Sequence, residues 1–312
     1  MKEKSTTHNI RILPAKKIDR DKWDACVHSD HSATIYSTTR CLDTFCETWV
    51  GLLVDDYKAV MAIPVKKKLL FEMVYMPPFI QRLGLAGNYN SEMIASAGSH
   101  LQQFSRILQY ASPHENLLPQ AGIVRRTNYI IPAAPYKEIA NNYTGSCKKN
   151  LRQSVTRGCV FADEVSFSEV LDCYIAAYGS KTGYTNLHFQ LLRNFYEKLK
   201  SSGSAFTAGV KDPSGALVYA GLLLQDKHRI YYLLGAPTTE GRQMRATYFF
   251  VDTMIRRAAD SGRIFDFEGS DIPDVARFYL SFSPTPEYYF RHYLNSWPAP
   301  VKGLIDKKLG TF

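Results

Sequence analysis

The sequence lacks the signatures of the most easily recognised catalytic chemistries. Its six cysteines include no C-x-x-C spacing and no recognisable Cys–His pair, which removes the usual marks of zinc ribbons, dithiol redox motifs and thiol nucleophiles. His28-Ser29-Asp30-His31 offers two closely spaced histidines without a third ligand, a poor zinc site. No G-x-S-x-G elbow, Walker loop or dinucleotide fingerprint occurs, so covalent serine chemistry and those two nucleotide modes have no support. No apolar run approaches the roughly eighteen residues of a membrane span, and "MKEKSTTHNI" has no apolar core of a secretory signal. A reducing cytoplasm is the expected compartment, and any membrane contact is expected to be peripheral.

What is present is ordinary globular material with a basic excess. The 312 residues are 45% hydrophobic and carry 20 Tyr and 17 Phe, enough for buried cores, and the length exceeds the comfortable size of one core. Two domains are expected, 1–143 and 144–312. The net charge of +9 divides as +4 in residues 1–145 and +5 in the rest, so no basic tail accounts for it. A spread excess suits a polyanionic or phosphorylated partner and also serves solubility.

The second half has the clearer pattern. Ser166 and Glu169 form an S-x-x-E capping box ahead of Val170, Leu171, Tyr174 and Tyr178, which predicts a helix. A second helix follows in "LHFQLLRNFYEKLKSSG", with Leu187, Leu191, Phe195 and Leu199 as its apolar face. Residues 205–236 then read as three antiparallel strands, joined by the turn Asp212-Pro213-Ser214-Gly215 and by Asp226-Lys227. After a loop at "PTTEG", a helix is expected over 243–261, with Met244, Tyr248, Val251, Ile255 and Ala259 as its stripe. The strand "IFDFEG" comes next, then a short helix near "DVARFYLSF" and a strand near "EYYFRHYL". The first half repeats the order in outline: a helix in "CLDTFCETW", three strand-like runs from 50 to 78, and a helix across "NSEMIASAGSHLQQFSRILQYAS".

This order, with "SCKKNLRQSVTRG", "YYLLGAPTTEGRQMRATYFFVDTMIRRAADSG" and "FDFEGSDIPDVARFYLSF", resembles two tandem copies of the GNAT fold as found in the FemABX group. The resemblance implies an α/β protein with a mixed sheet in each copy, the active cleft in the second. It implies an acyl- or aminoacyl-transferase acting on an amine acceptor, with aminoacyl-tRNA or acyl-CoA as donor and no tightly bound cofactor. A peptidoglycan-precursor acceptor is the family's usual case. A CoA- or carrier-protein-dependent N-acyltransferase and a non-catalytic RNA- or ligand-binding module are the alternatives. "RQMRAT" stands where GNAT enzymes carry a glycine-rich phosphate loop. Phe278-Tyr279 stands where Fem ligases carry an aromatic–lysine pair.

The candidate residues follow. No acid occurs between Glu138 and Asp163, while Lys148, Lys149 and Arg152 fall on one side of a helix that Ser146 could cap. Three cations within about one turn repel by a few tenths of a kcal/mol per pair unless an anion relieves them; a solvated basic face is the plain alternative. Arg242 and Arg245 stand at a helix start, where free amides favour anions. In "IFDFEG", Phe265 and Phe267 face the core and Asp266 and Glu268 project together from the other side. Glu268 is the expected base or ammonium-binding group and Ser270 its neighbour. Asp266 is either a substrate group or the partner of Arg263, Arg277 or Arg245. Tyr279 is the aromatic candidate, and splayed central strands near Leu223–Gln225 are expected to supply oxyanion N–H groups.

Overall fold

The computed structural model describes residues 8–68, 71–179, 183–269 and 271–309. These divide into two compact units, the first from the chain up to Arg126 and from Tyr288 onward, the second from Thr127 to Glu287. Residues 127–143, grouped by sequence with the first half, therefore join the second unit, and 288 onward joins the first.

The first unit begins with β1 (Ile10–Pro14), α1 (Arg20–Ser29), α2 (Thr39–Phe45), β2 (Thr48–Val54), β3 (Ala59–Lys68), β4 (Phe71–Val74), β5 (Leu85–Gly87), α3 (Ser91–Phe104) and β6 (Ile107–Ser112). Strands β1 to β4 form antiparallel neighbours, β4 meets β6 in parallel, and β5 pairs β3. The helix expected to run on through "QYAS" stops at Phe104. Ser105 is extended, and its hydroxyl bonds the carbonyls of Glu72 and Ile107. The β-rich sequence Ile107-Leu108-Gln109-Tyr110 then enters the sheet, where the Tyr110 hydroxyl donates to the Ala62 carbonyl at 2.7 Å. Tertiary pairing overrides helical spacing here.

The second unit takes in the end of β7 (Gly122–Ile131), then α4 (Tyr136–Asn141), α5 (Gly145–Thr156), β8 (Val160–Ala162), α6 (Phe167–Tyr178), α7 (Asn186–Lys200), β9 (Ala205–Lys211), β10 (Leu217–Gln225), β11 (Arg229–Pro237), α8 (Thr239–Met244), α9 (Ala246–Asp260), β12 (Ile264–Asp266) and α10 (Pro273–Leu280). Its strands run in the order β7-β12-β11-β10-β9-β8. All these neighbours are antiparallel except β11 with β12. The Ser166–Glu169 box is formed, and Gly215 donates to the Asp212 carbonyl in the expected turn. On α7 the buried face is Leu192, Phe195, Tyr196 and Leu199, while Leu187 is 64% exposed. Phe195 and Leu199 are buried as expected, while Leu192 and Tyr196 take the place of Leu187 and Leu191, and Phe167 stacks on Tyr196 at 4.7 Å. The expected helix over 243–261 is two helices, broken where Arg245 adopts φ 64°. Phe250, Val251, Met254 and Ile255 of α9 pack with Tyr219, Phe265 and Phe267 in the core; each such burial is worth about 1.5–3 kcal/mol.

The chain returns to the first unit along β13 (Thr285–Asn295), antiparallel to β6 over Phe290–Asn295, and ends in α11 (Val301–Leu309). His292 on β13 is fully buried. Its Nε2 donates to the His114 carbonyl at 3.1 Å, and Nδ1 has no partner. Burial pushes its pKa down to about 4 from 6.5. The unfolded chain therefore takes up this proton near pH 6.5 while the folded chain refuses it until about pH 4, so the His292 contribution to stability is lost as pH falls through that window. Urea midpoints at pH 7.5, 5.5 and 4.5 should decline, and His292→Leu should flatten the decline; equal slopes would remove His292 as its source.

Candidate functional site

Two parallel strands part in the middle of the second unit. β11 and β12 pair only through Arg229↔Ile264, Ile230↔Phe265 and Tyr231↔Asp266. β12 ends there, while β11 continues for six residues with no strand on that side among the described residues. The cause is local. The register between β10 and β11 slips from Leu222↔Leu234 to Leu223↔Tyr232, so Leu233 is an extra residue that twists β11 where β12 leaves it. β10 itself is paired on both sides, and the Gln225 amide bonds the Ser204 carbonyl. The N–H groups expected on β10 near Leu223–Gln225 are thus engaged in the ladders; the open edge belongs to β11 from Tyr232 to Pro237.

At the end of β12 the backbone turns sharply, since Glu268 (φ 61°) and Gly269 (φ 69°) are both left-handed. A non-glycine residue in this region is uncommon, and such strain gathers at functional sites. Asp266 holds the turn: its Oδ1 accepts the Glu268 N–H at 2.9 Å. That carboxylate is 1% exposed and lies in a buried network. Arg229 Nη1 donates to Asp266 Oδ2 at 2.9 Å and to Glu287 Oε2 at 3.1 Å, Nη2 donates to Glu287 Oε1 at 3.0 Å, and Asn128 Nδ2 donates to Asp266 Oδ1 at 2.9 Å. Burial alone would lower the Arg229 pKa, but hydrogen bonding to Glu287 and the charges of Asp266 and Glu287 raise it overall. Asp266 therefore bonds the protein's own groups and presents nothing to a substrate. Its partner is none of the three arginines expected: Arg263 donates to Gln225 and Arg277 pairs with Asp274.

Aromatic rings pack around the end of β12 and the middle of β10 and β11. Phe267 lies 4.4 Å from Tyr279 and 5.0 Å from Phe265, and the hydroxyls of Tyr219 and Tyr232 bond each other. A Cβ at Gly235 would come within 2.3 Å of the Tyr219 hydroxyl, so only glycine lets the two tyrosines meet β11 there. Tyr279, on α10 and 8% exposed, has its pKa raised well above the usual phenol by burial and by neighbouring Tyr232, Tyr178 and Glu268. Its phenol stays protonated at neutral pH. Ser270 lies outside the described residues.

The cations gather on another part of the same unit. Thr144, rather than Ser146, caps α5, accepting the Cys147 N–H at 3.2 Å. Lys148 turns back to donate to the Asn141 carbonyl at 2.7 Å, while Lys149 and Arg152 are exposed. Val155, toward the end of α5, is 64% exposed. Arg157 donates to the carbonyl of Gln243, which ties the end of α5 to the α8–α9 junction. Arg242 and Arg245 are exposed at that junction, and α9 starts with no side-chain cap; Ala246 is buried and the Tyr248 N–H donates to the Arg245 carbonyl, so the positive end of the helix acts there mainly through its dipole.

No protein-family model and no curated protein matches the sequence. Among solved structures the chain is similar to FemX, with a TM-score of 0.72 at 16% identity over 95% of this chain and 100% of that one. It is also similar to L-PGS from Bacillus licheniformis (0.54, 13% identity, 94% and 98%). A tandem GNAT protein from the clavulanic acid biosynthesis pathway gives 0.50 at 9% identity (93% and 100%). The shared property is the fold: the chain has the FemABX-like arrangement of two GNAT-like units, the α/β class expected from its sequence.

The buried network is not evident from the sequence, because Asn128 in "RRTNYII" and Arg229 in "DKHRIYYLLGA" each close a polar stretch at the edge of an apolar run. Removing one partner of a buried pair costs about 3–5 kcal/mol. Arg229→Met should lower the urea-unfolding free energy by that order, and Arg229→Met/Asp266→Asn should recover part of it. A loss below about 1 kcal/mol would put the pair in the weak class of exposed ion pairs.

Proposed function

We propose that the protein is an acyl- or aminoacyl-transferase that moves an activated acyl group from a phosphate-bearing donor onto an amine. The observation that carries this reading is the parting of β11 and β12 at a strained glutamate. An open strand edge with alternate N–H groups suits the oxyanion that forms on the attacked carbonyl. Glu268, set at its mouth by Asp266, takes the proton of the incoming ammonium or binds it. Tyr279, kept protonated, hydrogen-bonds the leaving oxygen or sulfur.

Donor phosphates are assigned to Lys149, Arg152, Arg242 and Arg245 with the positive end of α9, Lys148 serving mainly to fix the start of α5. The donor is aminoacyl-tRNA, as the FemABX resemblance implies; acyl-CoA would use the same cations. The peptidoglycan-precursor acceptor rests on that resemblance alone. A non-catalytic RNA-binding module is the competing reading, and turnover separates the two.

The purified protein should be titrated with charged tRNA, uncharged tRNA and acetyl-CoA at two salt concentrations, then assayed for transfer to an amine. Preferential, salt-sensitive binding of charged tRNA, weakened at least tenfold by Lys149→Ala/Arg152→Ala/Arg245→Ala, supports the aminoacyl reading. Saturable acetyl-CoA binding moves the donor to a thioester. Glu268→Gln should cut turnover about 100-fold or more with donor affinity kept. Unchanged turnover in that variant removes Glu268 from the chemistry, and binding without any transfer leaves the RNA-binding module.

A further inference from the structure

The open segment of β11 carries a hydroxyl with no acceptor among the described residues. Tyr219 of β10 and Tyr232 of β11 lie on the sheet face that α9 covers, their rings 4.5 Å and 6.2 Å from that of Phe250. They are 0% and 8% exposed, and burial holds both phenols protonated, well above their ordinary pKa. Each phenol brings one O–H donor. The two hydroxyls make one hydrogen bond, to each other, and neither makes another among the described residues. Whichever way that bond runs, one O–H is left over. Leaving a buried donor unanswered costs stability, so the fold bears that cost for a group it does not itself supply.

The pair meets the open edge of the sheet. A Cβ at Gly235 would lie 2.3 Å from the Tyr219 hydroxyl and 3.0 Å from that of Tyr232, so both hydroxyls rest against the backbone of a partly exposed residue of β11. The Thr238 N–H donates to Val218 on β10, and the register from Tyr219↔Pro237 to Leu222↔Leu234 is unbroken. N–H groups alternate along a strand, so those of Ala236 and Leu234 share the Thr238 side and that of Gly235 faces away from β10. β12 pairs no farther along β11 than Tyr231 and does not cover it. Pro237, next on that side, has no N–H. One amide and one phenol thus come together at a single point of the open edge, both as donors. Tyr232 is the outward member, because it keeps residual exposure and stands on the open segment, whereas Tyr219 is fully buried on β10.

We propose that Tyr232 donates a hydrogen bond to the carbonyl oxygen of the transferred acyl group, beside the Gly235 N–H, and that Tyr219 positions it by donating to the Tyr232 hydroxyl oxygen. This assignment rests on the transferase reading above and adds a side chain to its oxyanion site. Two donors at one point fit an oxygen that carries no proton and gains charge as the amine attacks. The phenol keeps its own proton throughout. The bond from Tyr219 polarises the Tyr232 hydroxyl and fixes its direction.

Tyr219→Phe and Tyr232→Phe delete the same hydrogen bond and the same kind of atom, so the fold feels them alike, but only the second removes the donor. In the transfer assay Tyr232→Phe should lower kcat about 100-fold with donor affinity kept, and Tyr219→Phe about tenfold or less. The double variant leaves no hydroxyl unanswered; it should melt no lower than the wild type and transfer as slowly as Tyr232→Phe. Acetate is the probe that needs no turnover, since a phenol donating to its carboxylate shifts its near-ultraviolet band to the red. A saturable shift is expected in the wild type and in Tyr219→Phe, and none in Tyr232→Phe. Equal kinetic losses in the two single variants, a loss in neither, or an acetate shift that is missing from the wild type or survives in Tyr232→Phe would overturn the assignment without touching the transferase reading. No transfer from any donor, with an acetate shift that Tyr232→Phe abolishes, would sink the transferase reading and keep Tyr232 as the donor to a bound oxygen.

Discussion

The second unit depends on a guanidinium placed where no water can reach it. Arg229 opens β11, Asp266 closes β12, Glu287 lies at the start of β13 and Asn128 lies in β7, so four segments distant in sequence contribute one buried hydrogen-bonded group. Taking these charges from water costs free energy, and that cost is offset only if the geometry satisfies nearly every donor and acceptor. Arg229 Nε alone among its donors has no partner. A short strand such as β12, with three residues and few ladder bonds of its own, gains its position from this group. The position matters because the same Asp266 carboxylate holds the next turn in its left-handed state.

Two local irregularities then do what regular secondary structure cannot. A parallel pair of full-length strands would close the sheet and hide its amides. The extra residue at Leu233 twists β11, and the Glu268-Gly269 turn carries the chain away from it, so among the described residues one edge of β11 is left open beyond Tyr231. Strain of about 1–3 kcal/mol per left-handed non-glycine residue is carried by the packing of Phe265, Phe267 and Tyr279 around it.

Much of the second unit is legible in the sequence because its signals are local. Ser166 and Glu169 are three residues apart, Asp212 to Gly215 are consecutive, and the alternation of Phe265 and Phe267 spans one short strand; each obeys a rule that needs no partner elsewhere. Sequence and structure diverge where a distant residue decides. Residues 107–112 have apolar spacing that either helix or strand accepts, and the neighbouring strands choose. On α7 the spacing does not single out Tyr196, which is buried with Phe167 of α6 stacked on it. Asp266 finds a partner other than the expected ones because Arg229 lies 37 residues before it. Glu268 is identified from strand alternation, yet its actual backbone is a left-handed turn, and the alternation rule stops where β12 does.

The same distinction governs the charge. A net +9 counts every arginine and lysine alike, but the fold already engages several of them. Arg229 is neutralised in the core, Arg157 is committed to a carbonyl at the end of α8, and Lys148 to one at the end of α4. Such cations fix geometry and cannot also attract a distant anion strongly, because their field is already answered nearby. Among the cations still exposed in the second unit, Arg242 and Arg245 stand at the junction where α9 starts and Lys149 and Arg152 lie on α5, and a helix start adds to the potential of cations beside it. On the proposed reading a phosphorylated donor would meet the uncommitted remainder, and the opening stretch of α5 divides between the two roles within five residues.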